Sequence, residues 1–195
     1  ETVGSSPHAK AIFEKKLRDD LQALLSLGVP PAPLHLSNST DPLQENLEKE
    51  NRHTLLSLEK IAAQRRQFSS IVILTKNPSL LCTEPYLAII RSRHMLPFTV
   101  QVSCAFWQDS ARLFFEPNAP SVHDRLEALK ILAENGIDVE LRIDPLFPSS
   151  RIKREVRLHK PMSFYSIPEA QSQDDIVSLI RFAKELGAKA IIANT

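Results

Sequence analysis

Small polar and charged residues stand just past each short apolar run of this 195-residue chain. They are Asn38, Ser39, Thr40 and Asp41, then Lys76 and Asn77, then Ser103 and Cys104, then Glu116, Arg142 and Asp144, and last Asn194 and Thr195. If the apolar runs are parallel strands, these residues gather at one end of the sheet whatever their separation in sequence, and that end is where α/β proteins hold ligands. The set is mixed in charge and suits a zwitterionic ligand. Lys76 or Arg142 would meet a carboxylate, while Asp41 or Glu116 would meet an amine or a ribose hydroxyl. Lys76 follows the run Ile71-Val72-Ile73-Leu74, a placement that points beyond simple solvation. Asp41, ahead of Pro42, also has the chemistry of a helix cap, and capping leaves ligand contact open. In Phe115-Glu116-Pro117-Asn118-Ala119-Pro120, Glu116 is expected to pair with Arg125 and fix this loop to the helix after it. A different chemistry would use Asp41 and Lys76 as an acid-base pair around a reactive, desolvated lysine.

The elements that must position these residues are legible from periodicity. Ile12, Phe13, Leu17, Leu21, Leu24 and Leu25 recur at helical spacing from Pro7 until Gly28 and the prolines at 30, 31 and 33 end the pattern. A short strand at Leu34 to Leu36 follows, then a helix from Leu43 to about Gln67. The strand at Ile71 to Leu74 is continuous and β-branched, as for a strand buried on both faces. A helix around Tyr86 to His94, a strand from Phe98 to Ser103, a loop, a helix from Ser121 to Asn135 and a strand from Ile137 to Ile143 continue the alternation. An irregular connection occupies about 145–171 and contains the basic run Arg151 to Arg157, which is either solvated or in contact with a phosphate backbone. The helix from Asp174 to Leu186, stopped by Gly187, and the strand from Lys189 to Ala193 close the chain. Strand and helix alternate five times, which predicts an α/β fold with a parallel sheet, either a partial (β/α) barrel or an open doubly wound sheet. One domain, 1–195, is the expected organisation.

Bulk composition excludes several classes. Lys plus Arg is 24 against 23 for Asp plus Glu, so no global field favours nucleic acid or an anionic membrane. With four glycines the chain has no GxGxxG or Walker-type phosphate loop. Cys82 and Cys104 are too few for a disulfide framework, and Cys104 is expected to pack as a small core residue. His53 and His94 are expected at the surface or an edge, and the histidines at 8, 35, 123 and 159 have no metal-ligand spacing. No apolar stretch approaches the roughly 20 residues of a membrane span, and the N-terminus lacks a signal core, so a soluble cytoplasmic protein without membrane contact is expected. Both ends read as cut, Glu1 being no initiator and Thr195 falling at a strand end.

Taken in order, the strand-end segments resemble the radical S-adenosylmethionine superfamily, specifically its DNA repair photolyase-like branch, the spore photoproduct lyase family. Ser39-Thr40-Asp41-Pro42-Leu43-Gln44 looks like the branch's Thr-Asp-Pro-Tyr-Gln segment, and Arg52-His53-Thr54 like its Arg-x-Thr. Leu74-Thr75-Lys76 is similar to its Thr-Lys strand end and Val102-Ser103 to its Val-Ser strand end. The Glu-Pro-x-x-Pro loop at 116–120, Arg125-Leu126-Glu127-Ala128 and the Ile-x-Pro-like ending Ile143-Asp144-Pro145 complete the likeness, which covers about residues 32 to 147 and, more loosely, the rest of the chain to its C-terminus.

The resemblance implies a partial barrel of six strands, with about five present in this chain. It implies S-adenosylmethionine (AdoMet) and a 4Fe-4S iron-sulfur cluster as cofactors, the cluster cleaving AdoMet reductively to methionine and a 5'-deoxyadenosyl radical. Thr40, Lys76 and Ser103 match positions that contact AdoMet in that family, and Asp41 and Glu116 match recurring acidic positions. Nucleic acid is the partner the family label implies, with a lyase reaction. The sequence departs from the family in two ways. The three-cysteine cluster loop is missing and is expected ahead of residue 1, so the chain alone is expected to be inactive. Asn38 stands where spore photoproduct lyase has a hydrogen-donor cysteine, which argues against thymine-dimer reversal by that route. An extra residue after Gln44 leaves either Glu45 or Glu48 as the match to the family's glutamate. The other reading is a non-enzymatic degenerate barrel or binding module.

Overall fold

Five parallel strands form one sheet in the order β1-β2-β3-β4-β5. They are β1 (Ala32–Leu36), β2 (Phe68–Thr75), β3 (Phe98–Ser103), β4 (Asp138–Ile143) and β5 (Lys189–Ile192). The computed structural model describes residues 7–36, 40–147 and 170–192. The helices are α1 (Pro7–Ser26), α2 (Glu45–Asn51), α3 (His53–Ile61), α4 (Tyr86–Arg91), α5 (Asp109–Phe115), α6 (Val122–Glu134) and α7 (Gln173–Glu185), with a 3-10 turn at Pro78–Cys82. A doubly wound sheet reverses its strand order at a switch point. Here the order runs straight from β1 to β5, so the α/β fold is of the partial-barrel kind.

The sheet has two different faces. Ile71 and Ile73 of β2, Val100 and Val102 of β3, and Val139, Leu141 and Ile143 of β4 are buried together with Leu58 of α3 and Leu129 and Leu132 of α6. Removing such side chains from water contributes about 1.5–3 kcal/mol each, and their number on one face fixes the register. The alternate residues Val72, Leu74, Thr99, Gln101, Glu140 and Arg142 are half-exposed. Val72 pairs in register with Thr99, Leu74 with Gln101, and Gln101 with Glu140. Polar side chains bridge the strands on this face, Thr99 Oγ1 donating to Asp138 Oδ2 at 2.9 Å and Gln101 Nε2 to Glu140 Oε2 at 2.8 Å. The expectation that β2 is buried on both faces is therefore corrected, because its second face shares this polar side.

Two further expectations change. The single helix from Leu43 to Gln67 is two helices, broken at Arg52, whose left-handed φ of 52° ends α2 and opens α3. The buried carboxylate of Glu48 stabilises the break by accepting from Thr54 N at 2.6 Å and Leu55 N at 3.3 Å, the free amides at the start of α3, and from the Tyr86 hydroxyl at 2.5 Å. Thr54 Oγ1 donates to the Pro42 carbonyl, tying the junction to the turn that precedes α2. Of the two candidate glutamates, Glu48 is the buried one, whereas exposed Glu45 pairs with Lys49 within α2. The loop after β3 also contains a helix, α5. His53, expected at the surface or an edge, is half-buried, its ring stacked on Phe13 of α1 with centroids 4.3 Å apart.

The remaining elements fall close to expectation. Ser121 caps α6 by accepting from Asp124 N at 3.0 Å, and Ser172 and Asp175 form a capping box on α7. Gly187 follows α7 with a φ of 70°, the left-handed conformation that suits glycine. No described helix is long and apolar enough to cross a membrane. Asn38, Ser39, Asn194, Thr195 and the basic run at 151–157 lie outside the described residues.

Candidate functional site

The segments after β1 and β2 and the loop from the end of α5 into α6 enclose an open cleft of about 1110 Å³. Of the residues expected to act there, Asp41, Lys76 and Glu116 line it, while Thr40 and Ser103 lie outside its lining. Thr40 occupies the bend after β1 and is exposed, and Ser103, the last residue of β3, is only 7% exposed.

Asp41 joins the ends of two neighbouring strands. Its Oδ1 accepts from Leu43 N at 2.9 Å and from Thr75 Oγ1 at 2.8 Å, and its Oδ2 accepts from Lys76 N at 2.6 Å. Thr75 Oγ1 in turn accepts from Asn77 N at 2.8 Å, and Asn77 Nδ2 donates to the Leu43 carbonyl at 2.9 Å. Both carboxylate oxygens are thus used to hold the turn after β1 against the start of the turn after β2. Helix capping is not their role: α2 starts at Glu45, with Gln44 at its cap position and no side-chain cap bond.

Glu116 is the second tie, and it sits between two cations. Lys76 Nζ lies 2.5 Å from Glu116 Oε1, and Arg125 Nη2 lies 2.7 Å from Glu116 Oε2. Burial works against the Glu116 charge, but Lys76 and Arg125 outweigh it and hold the carboxyl below its ordinary range. Arg125 is completely buried. Its Nη1 donates to the Ser103 carbonyl and its Nε to the Pro120 carbonyl, both at 3.0 Å. One guanidinium therefore fixes the end of β3, the loop after α5 and the carboxylate that holds Lys76. The expected Glu116–Arg125 pair is present, and it extends to Lys76 and Ser103. The Lys76 side chain is 42% exposed and lines the cleft while Glu116 anchors its ammonium.

The loop that carries Glu116 is held by a second buried arginine that the sequence reading missed. Arg112 donates to Asp109 through Nε at 3.0 Å and Nη2 at 2.7 Å, and through Nη1 to the Ala119 carbonyl at 3.1 Å. Asp109 Oδ1 also accepts from Val122 N at 3.0 Å, joining α5 to the start of α6. These bonds, Arg112 foremost, lower the Asp109 carboxyl below its ordinary range. The signal available was the Asp109/Arg112 spacing of three residues, a helical ion-pair spacing. Arg142, at the end of β4, forks onto Asp144 Oδ2 at 3.2 and 3.0 Å, which leaves it paired rather than waiting for a ligand carboxylate.

Nothing supports the acid-base pairing of Asp41 with a nucleophilic Lys76. Asp41 holds the Lys76 main chain, and a nucleophilic lysine needs an apolar or cationic neighbourhood, whereas Lys76 has a carboxylate at 2.5 Å. The cysteines do not suit a cluster. Cys82 donates its thiol to the Ala128 and Pro78 carbonyls at 3.6 and 3.7 Å, and Cys104, fully buried, to the Phe106 carbonyl at 3.3 Å. Burial pushes each thiol up to about 11, away from the thiolate that ligates iron. Among the described residues no group of three His, Cys, Asp or Glu side chains could hold a metal ion.

The sequence matches no protein-family model and no curated protein sequence. Among solved structures, a doubly substituted variant of spore photoproduct lyase with bound AdoMet and dinucleoside spore photoproduct is similar, with a TM-score of 0.51 at 15% identity. The likeness covers 86% of this chain and 42% of the lyase chain, so this chain spans less than half the length of that protein. What the two share is the fold, here a parallel α/β partial barrel, in agreement with the strand order seen above.

Proposed function

We propose that this chain is the AdoMet-holding part of a radical S-adenosylmethionine enzyme of the photolyase-like branch, acting in the cytoplasm with nucleic acid as its implied partner. The observation that carries the reading is the anchored, half-exposed side chain of Lys76 on the strand-end face of a fold shared with an AdoMet-bound lyase. Lys76 meets the carboxylate of the methionine moiety, whereas Thr40 and Ser103 are assigned as contacts by the family resemblance alone, since neither lines the cleft and Ser103 is nearly buried. Asp41 and Glu116 act through Lys76, one fixing its main chain and the other its side chain. A lysine held this way gives up little conformational freedom on binding, which favours affinity.

The cluster does not fit the described residues, because the only two cysteines of the chain are on different elements, protonated and bonded to carbonyls. In this reading its ligands lie outside the 195 residues, and the chain alone is inactive. Calorimetric titration with AdoMet tests the binding role. The wild-type chain binds at one site, and Lys76→Ala weakens binding roughly ten- to a hundredfold, the value of a hydrogen bond to a charged group. Equal affinity in the variant, or no binding to either protein, rejects the reading. Reconstitution with iron and sulfide gives no stoichiometric cluster absorbance from this chain alone.

A non-enzymatic binding module is the second reading, favoured by the state of the two thiols. The coding sequence upstream of Glu1 separates the two. Three closely spaced cysteines there support the enzyme, and a start codon at the boundary supports the module.

A further inference from the structure

The end of the sheet opposite the cleft carries a concentration of positive charge. Segments 60–67 and 91–97 run into the amino ends of β2 and β3 and hold Lys60, Arg65, Arg66, Arg91, Arg93 and His94, with no Asp or Glu in either segment. All six are exposed. The chain as a whole is balanced, 24 Lys and Arg against 23 Asp and Glu, so this end is basic by placement and not by composition. Glu59, Glu134 and Asp138 stand at its border, and Asp138 already accepts from Thr99 Oγ1 at 2.9 Å.

The two segments form one base. Leu96 N donates to the Ala62 carbonyl at 2.7 Å and Ile71 N to the Pro97 carbonyl at 2.9 Å, over the buried side chains of Ala62, Phe68 and Leu96. Arg65 Nη2 joins the segments from outside, donating to the Met95 carbonyl at 2.7 Å and the Arg93 carbonyl at 3.4 Å. Arg91 Nη1 donates to Asn135 Oδ1 at 3.3 Å, beside the amino end of β4. Neutral oxygens thus orient both guanidinium groups, and Nε and one Nη of each have no partner among the described residues. Among those residues none of the five Lys and Arg side chains is in a salt bridge. A guanidinium held in place with its charge uncompensated and donors to spare is suited to phosphate oxygens. Because β2, β3 and β4 are neighbours in the sheet, the loops before them step across it by about 4.8 Å per strand. The cations therefore form a row, which suits a polymer of repeating phosphates better than one small anion.

We infer that this end of the sheet docks the phosphate backbone of a nucleic acid, through Arg65, Arg66, Arg91 and Arg93 with Lys60. The eight residues of β2 put the row roughly 25 Å from the cleft, so it positions the polymer and reads no base sequence. The surface stands on charge and placement; the choice of nucleic acid among polyanions rests on the function proposed above.

Fluorescence anisotropy with the full 195-residue chain and a labelled DNA duplex of about 20 base pairs, without AdoMet, tests this. Duplexes of different sequence bind alike. Four phosphates neutralised give a salt slope of roughly −3.6, so affinity falls roughly 150-fold between about 50 and 200 mM salt. Arg66→Glu with Arg93→Glu weakens binding roughly tenfold or more and flattens the slope by about 2. Arg181→Glu with Lys184→Glu makes the same charge change at exposed positions of α7 and alters affinity less than about twofold, because distant charges are screened. All four positions are exposed, and circular dichroism checks that both variants fold. No duplex binding at about 50 mM salt overturns the inference. So does an unchanged affinity in the Arg66 and Arg93 variant, an equal loss in the α7 variant, or tighter binding to phosphatidylserine vesicles than to the duplex. The duplex titration is read without AdoMet, so its failure leaves AdoMet binding standing, and failure of the AdoMet titration leaves the measured duplex binding in place.

Discussion

Replacing Arg125 by Met removes the one group that joins Glu116, Ser103 and Pro120, while keeping most of the buried volume. The Glu116 side chain is 9% exposed and would keep only Lys76 as a cationic partner, and two carbonyls would lose their donor. Removing one member of a buried pair typically costs about 3–5 kcal/mol. For a chain of this length that lowers the melting temperature by roughly 6–20 °C. The cost must also depend on pH. Because the Glu116 carboxyl is held below its ordinary range in the folded state, its pairing contributes stability above the unfolded carboxylate pKa of about 4.3 and loses it as pH falls through the lower folded value. The penalty of Arg125→Met is therefore full at pH 7 and shrinks below about pH 4. Urea unfolding followed by fluorescence of Trp107, the single tryptophan, reads both quantities. Adding Glu116→Gln to Arg125→Met recovers part of the loss, as a double-mutant cycle would show. A loss under about 1 kcal/mol at pH 7, or one that does not change with pH, refutes the role given to this pair.

Asp41→Ala frees the turns after β1 and β2 by deleting three hydrogen bonds, at a cost of about 1–3 kcal/mol, and amide exchange at Leu43 and Lys76 speeds up while that at Val100 does not. Glu48→Gln weakens the α2–α3 junction by about 1–3 kcal/mol, measured by urea unfolding, because a neutral amide is a poorer acceptor for Thr54 N, Leu55 N and the Tyr86 hydroxyl. Cys82 and Cys104, with thiols near 11, resist iodoacetamide at pH 8 in the folded chain and react once it is unfolded in urea, as mass spectrometry would record.

The sheet was legible in the sequence because its signal is local. Ile71 to Leu74, Phe98 to Ser103 and Ile137 to Ile143 are short apolar runs bounded by breakers, and each became a strand within a few residues of its expected ends. The pairing of Glu116 with Arg125 was legible for the same reason. The break at Arg52 was not, since α2 and α3 keep one apolar period across it and the group that stabilises it, Glu48, acts through tertiary contacts with Thr54 and Tyr86. Helix α5 was hidden by its short length within a loop rich in proline and aromatics. The scaffolding use of Asp41 was hidden too, because a carboxylate after a strand carries the same sequence signal whether it binds a ligand or a neighbouring backbone amide. Strand pairing decides between them, and it brings Thr75 and Lys76 to Asp41 from 34 and 35 residues away.

The central claim is that AdoMet binds at the ends of β1, β2 and β3 through Lys76, and a crystal structure of the chain with AdoMet tests it most directly. The methionine carboxylate should lie within hydrogen-bond reach of Lys76 Nζ, about 2.7–3.2 Å, with Glu116 still held by Arg125. AdoMet ordered elsewhere on the chain, or bound at this face with Lys76 turned away from it, would contradict the claim.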